Sequence, residues 1–132
     1  MANISKRSIT TLFRPVGQAE LDLIEAADWK RFPPRLEWQP IFYPVLTEDY
    51  AIRISRDWNT KDPNSQYVGY VLRFDVMKFF LDRYEIHEAG GRELREYWIP
   101  AEHLDEFNDN IVGTISITHE FRPTGQDQEP KS

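Results

Sequence analysis

The sequence contains no cysteine, which excludes disulfide staples, thiol nucleophiles and cysteine-based metal sites. Lysine is scarce, since 11 of the 16 basic residues are arginine, the side chain suited to bidentate contact with phosphate. The three histidines, His87, His103 and His119, lie far apart and lack metal-ligand spacing, so no metal site is expected. His119 reads as a satisfied core or edge histidine. No apolar run approaches the roughly 20 residues that a membrane helix needs, and the first residues carry no hydrophobic signal region. A cytoplasmic protein with no membrane partner is the expectation. The phosphate-loop, dinucleotide-fingerprint and nucleophile-elbow patterns are all missing, which leaves ordinary NTP, dinucleotide-fold and esterase readings without an anchor.

What is present suits one globular domain. A chain of 132 residues can bury a core without metal or disulfide help. Four Trp, six Tyr and eight Phe supply large apolar anchors. The net charge of −6 argues against duplex nucleic acid, whose affinity comes mainly from phosphate neutralisation. A small phosphate-bearing ligand held by a local arginine pair stays open.

Along the chain, residues 1–8 are polar and expected to be disordered. Residues 9–16 alternate as a strand that carries Arg14 among apolar neighbours, and residues 18–28 read as a helix with Leu21 and Ile24 inward. Two adjacent prolines make residues 32–36 a stiff loop. A short strand over 41–45 precedes Thr47, the expected N-cap of a helix over 48–58, with Ala51, Ile54 and Trp58 as its buried stripe. Glu48 and Asp49 suit the positive end of that helix. After a turn-rich loop at 59–66 comes the best strand, 67–76, with Tyr70, Leu72, Phe74 and Val76 on one face and Val71 and Arg73 on the other. A helical turn over 78–83, a strand over 84–88, a hairpin turn at 89–91 and a strand over 92–99 follow. A helix over 101–108 buries Leu104 and Phe107. A final strand over 114–121 faces Ile115, Ile117, His119 and Phe121 inward. Residues 122–132 form a polar tail, expected to be disordered. The fold class is α+β: one domain over 9–121, a mostly antiparallel sheet, continuous or split, and three or four short helices.

The candidate for chemistry is Glu96. Alternation places Leu94, Glu96 and Trp98 on one strand face, and a carboxylate between two large apolar side chains must be solvated, paired or used. Pro100 cannot donate to a ladder and so marks the strand end.

Taken together, Arg14 on the first strand, Tyr43 on the second, Asp49-Tyr50-Ala51 opening a helix, Gly69-Tyr70-Val71-Leu72 and Glu96-Tyr97-Trp98-Ile99-Pro100 follow the element order of the ADP-ribosyltransferase-like fold, which the chain resembles over about residues 9–121. Leu12-Phe13-Arg14-Pro15-Val16-Gly17, Phe32-Pro33-Pro34-Arg35-Leu36, Arg56-Asp57-Trp58-Asn59 and Trp98-Ile99-Pro100-Ala101-Glu102 make it similar, more narrowly, to a group of short bacterial proteins labelled "ADP-ribosylation/crystallin J1". The resemblance implies NAD as substrate and a mono-ADP-ribosyltransferase-like reaction that cleaves the nicotinamide–ribose bond. It implies that Arg14 holds the diphosphate or ribose and that Tyr43 packs beside the nicotinamide. Glu96 would be the catalytic carboxylate, bonding a ribose hydroxyl and stabilising positive charge at the anomeric carbon. No metal is implied.

A second reading is a non-catalytic binding module for an unknown protein partner. Trp29, Phe32, Trp38 and Phe42 cluster in sequence around the Pro-Pro loop and would form its aromatic surface; packing over the sheet edge is the competing account of the same residues.

Overall fold

Apolar side chains at every second position of one strand set the spine of the fold, and the other elements pack around it. The computed structural model describes residues 8–91 and 94–123. In chain order these form β1 (Ile9–Val16), α1 (Gln18–Ala26), β2 (Ile41–Phe42), α2 (Glu48–Asp57), β3 (Gly69–Met77), α3 (Lys78–Leu81), β4 (Ile86–Glu88), β5 (Arg95–Tyr97), β6 (Ile99–Pro100), α4 (Leu104–Asp109) and β7 (Ile111–Phe121). Short 3-10 turns at Asn59–Lys61, Pro63–Ser65 and Ala101–His103 complete the order. The result is a single-domain α+β protein with antiparallel sheets. No helix among the described residues is long and apolar enough to cross a membrane.

β3 is paired on both edges, antiparallel to β1 and to β7. As its alternation predicts, Tyr70, Leu72, Phe74 and Val76 enter the main core, whereas Val71 joins a second cluster with Val45 and Ala51 on the opposite face. Arg73 is exposed. β4 pairs with β5, and β2 with β6. A single residue, Val45, links the halves: it bridges Phe13 of β1 on one side and Glu96 of β5 on the other. Phe13 and Val45 exchange two backbone hydrogen bonds of 2.9 Å.

Several expected boundaries shift, each for a local reason. The first helix stops at Ala26 rather than at 28 because Asp28 and Trp29 take left-handed backbone, at φ 60° and 61°. The strand expected over 41–45 is broken at Pro44, which cannot donate to a ladder, so only Ile41–Phe42 and the lone Val45 pair. The strand expected from residue 67 begins at Gly69, after Gln66 and Tyr67 turn through φ 59°. The strand expected over 92–99 divides at Trp98 into β5 and β6, which serve different partners; Arg92 and Glu93 lie outside the described residues. Ser8 belongs to the fold, its carbonyl accepting from the Lys78 amide at 3.0 Å. Residues 1–7 and 124–132, for which disorder is expected, also lie outside the described residues.

Two faces differ from expectation. In α2 the fully buried residues are Ala51 and Ser55, not Ile54 and Trp58, and Trp58 is 72% exposed. Small side chains win that face because α2 lies close on β3: a Cβ on Gly69 would stand 2.3 Å from Ser55 Oγ. In β7 the strict inward alternation fails, since the register with β3 slips between Val71 and Leu72, which pair with His119 and Ile117. Such a bulge interrupts the two-residue period. Ile115 is buried, Ile117 is 43% exposed, and the half-exposed His119 lies 3.4 Å from a Glu48 carboxylate oxygen, an edge histidine rather than a core one.

The core is aromatic. Phe32 lies 4.8 Å from Phe74 and 5.1 Å from Phe42, and Phe42 lies 5.2 Å from Phe107, measured between ring centroids. The Asn108 side chain locks Phe32 in place, accepting from its amide at 2.9 Å and donating to its carbonyl at 3.0 Å. Of the two accounts of the aromatic residues around the Pro-Pro loop, packing holds for three: Phe32 and Phe42 are buried and Trp29 packs against the core, whereas Trp38 stands out at 74% exposed. Hydrophobic burial claims rings that lie close in sequence to a surface loop.

Candidate functional site

The lone bridge at Val45 sets the site. By pairing with both β1 and β5 it brings the segments that carry Arg14, Tyr43 and Glu96, far apart in sequence, next to one another. The Tyr97 amide donates to Pro44 O and the Leu46 amide to Arg95 O, each at 3.0 Å, which holds the Val45 segment alongside β5. Arg14, Tyr43 and Glu96 then line one open cavity of about 470 Å³, with Pro15, Val45, Ile54 and Trp98. Its size falls within the roughly 300–1,000 Å³ range of small-molecule sites.

Glu96 is oriented by two neutral donors. Tyr50 Oη donates to Oε1 at 2.7 Å and Trp98 Nε1 donates to Oε2 at 2.8 Å. Each carboxylate oxygen offers about two acceptor positions, so a further donor can approach both. Tyr50 comes from α2, whose N-cap Thr47 accepts the Tyr50 amide at 3.2 Å, as the sequence predicts. Partial burial, and then the bond to the Glu96 carboxylate, raise the Tyr50 phenol well above its ordinary pKa. Tyr50 thus remains a neutral donor across the physiological range.

An aromatic wall completes this side. His87 of β4 stacks on Trp98 at 3.8 Å with the planes 8° apart, and Tyr43 meets Trp98 edge-on at 6.2 Å. Trp98 and Tyr43 are both exposed.

Arg14 is set differently from the other two. It is 8% exposed, and its guanidinium forms a bidentate pair with Glu20 of α1, Nε to Oε2 at 2.7 Å and Nη2 to Oε1 at 3.0 Å. It also lies 4.6 Å over the Phe42 ring. Two of its five N–H groups are spent on Glu20, which leaves three for other acceptors. Among the described residues no group of three or more His, Asp or Glu could hold a metal ion.

Tyr50, Trp98, His87 and Glu20 are parts of this arrangement that sequence reasoning did not assign. Trp98 was within reach, two residues after Glu96 on the same strand face. Tyr50 belongs to the Asp49-Tyr50-Ala51 motif, which assigns it no role. His87 and Glu20 carried no signal, because a cross-strand neighbour and a partner beyond the turn at Gly17 follow no periodicity. The chain matches no protein-family model, no curated protein and no solved structure.

Proposed function

We propose that this protein binds NAD or ADP-ribose and acts as a mono-ADP-ribosyltransferase-like enzyme on the nicotinamide–ribose bond. The observation that carries this reading is the meeting of Arg14, Tyr43 and Glu96 around one open cavity, with the carboxylate already aimed by Tyr50 and Trp98. In such a reaction the C–N bond to nicotinamide breaks, the electron pair leaves with the base, and positive charge develops at the anomeric carbon. A fixed anion beside that carbon lowers the barrier, because the dipoles that orient it are in place before charge develops. Glu96 supplies the anion and accepts a bond from a ribose hydroxyl. Trp98 and Tyr43 provide flat apolar surface for the departing ring, and Arg14 turns its remaining donors to the diphosphate. With water as acceptor the products are nicotinamide, ADP-ribose and a proton.

The test is nicotinamide release from NAD by the full chain, followed by chromatography. Glu96→Gln keeps the shape and removes the charge, so release is expected to fall about a hundredfold or more, the scale for loss of one charge-stabilising group. Equal rates in both proteins, with both folded, would overturn the reading. The second reading, a non-catalytic module for a protein partner, keeps exposed Leu36 and Trp38 beside the prolines, and it predicts neither NAD binding nor nicotinamide release.

A further inference from the structure

Arg14 and Pro15 line a second, larger cavity as well, of about 540 Å³, walled by the Pro33-Pro34 loop, the first turn of α1 and the loop over 59–65. We propose that this larger cavity takes the adenosine diphosphate half of NAD, with Arg35 contacting the pyrophosphate and Trp38 stacking on the base; the assignment rests on the NAD reading above.

Charge is the first argument. Arg14 and Glu20 neutralise each other, and Asp62, the other carboxylate on the wall, is occupied by the Asn64 amide at 2.9 Å and the Ser65 hydroxyl at 3.4 Å. The wall's two arginines and two carboxylates balance, but Arg35 is the cation without a carboxylate partner. It is partly buried, its Nε donates only to the Ile41 carbonyl at 3.2 Å, and no carboxylate pairs with it among the described residues. Burial, followed by repulsion from Arg14, lowers its pKa. A bound anion would relieve both penalties, and a guanidinium is the group best shaped to grip a phosphate.

Shape and polarity add independent support. Both Arg14 and Arg35 lie against the Phe42 ring, at 4.6 and 5.8 Å, so one buried side chain positions the two guanidiniums on the wall of the larger cavity. α1 opens on Gly17 without a side-chain cap, which leaves unpaired N–H groups at a wall of the same cavity. Trp38 lines the cavity while 74% exposed, a free aromatic face of the kind on which bases stack. Gln39 lines it too, and its amide nitrogen is free to donate because only its oxygen is engaged, by the Leu36 amide at 3.0 Å.

Calorimetric titration of the full chain with ADP-ribose, and chemical-shift titration with nicotinamide riboside, separate the halves. Arg35→Gln is expected to weaken ADP-ribose at least tenfold and Trp38→Ala at least fivefold, both leaving nicotinamide riboside within twofold of wild type. Arg35→Lys, which keeps charge but loses the fork, should fall between. Trp38 is exposed, so its replacement stays informative should Arg35→Gln fail to fold. Unchanged ADP-ribose affinity in the Trp38 and Arg35 variants, with nicotinamide still released by wild type, would overturn this subsite and leave the proposed activity standing. ADP-ribose binding that depends on Arg35 without any nicotinamide release would support the subsite and overturn the transferase reading. No binding of either probe to wild type would overturn both.

Discussion

Tyr50 is the residue on which stability and the proposed chemistry meet. Its phenol is held neutral by partial burial and by the Glu96 carboxylate, and burial raises the pKa of Tyr84 and Tyr97 too. In the unfolded chain a tyrosine loses its proton near pH 10, while in the fold these three keep theirs to higher pH. The folded state therefore binds more protons above about pH 10, and unfolding free energy falls as pH rises through that range; below it the three contribute no slope. Tyr50→Phe is expected to flatten that alkaline limb in urea titrations between pH 8 and 11 without abolishing it, since Tyr84 and Tyr97 remain. An identical limb in the variant would contradict the linkage. Asn108 shows the purely structural counterpart. Asn108→Ala strands the buried amide and carbonyl of Phe32 and should cost at least about 1–3 kcal/mol, read from the urea midpoint at constant slope. Glu96 stood out at this scale as a carboxylate between apolar neighbours, whereas Trp98, on the same face, carried no sign of its bond to Glu96. Arg35 was not, since nothing in a Pro-Pro loop says which cation the fold will leave without a carboxylate.

Among the elements, α2 teaches most about what a hydrophobic pattern conveys. Its start was readable from Thr47 and the two acids that follow, and Thr47→Ala should cost about 1 kcal/mol. Its buried face was readable only at Ala51, because apolar character added Ile54 and Trp58 while close approach to β3 selected Ser55. Trp58→Ala, at an exposed site, should change stability by less than about 0.5 kcal/mol. Gly69→Ala, which drives a methyl into Ser55, should cost about 1–3 kcal/mol as overpacking does. The reverse order of these two effects in thermal unfolding would refute the close-packing account. β7 failed for another reason: the bulge opposite Val71 and Leu72 changes which side chains face inward, and period-two reading has no means of placing it.

For the whole molecule, element types and their order were legible, and the α+β class with antiparallel sheets follows from them. The join between the halves was not. It depends on Val45, a single bridging residue beyond a proline, which carries no periodic signal yet brings Arg14, Tyr43 and Glu96 to one cavity. The aromatic cluster was legible only as two alternatives, a surface or a packed edge, because sequence proximity to a loop does not reveal that Phe32 and Phe42 turn into the core. The central claim, that this cavity receives NAD, is tested most directly by heteronuclear NMR titration of the full chain with NAD. The Trp98 indole N–H, bonded to Glu96, and the backbone amides of Arg14, Tyr43 and Glu96 are expected to shift together along one saturable curve. Resonances at all four positions unmoved by millimolar NAD would contradict the account.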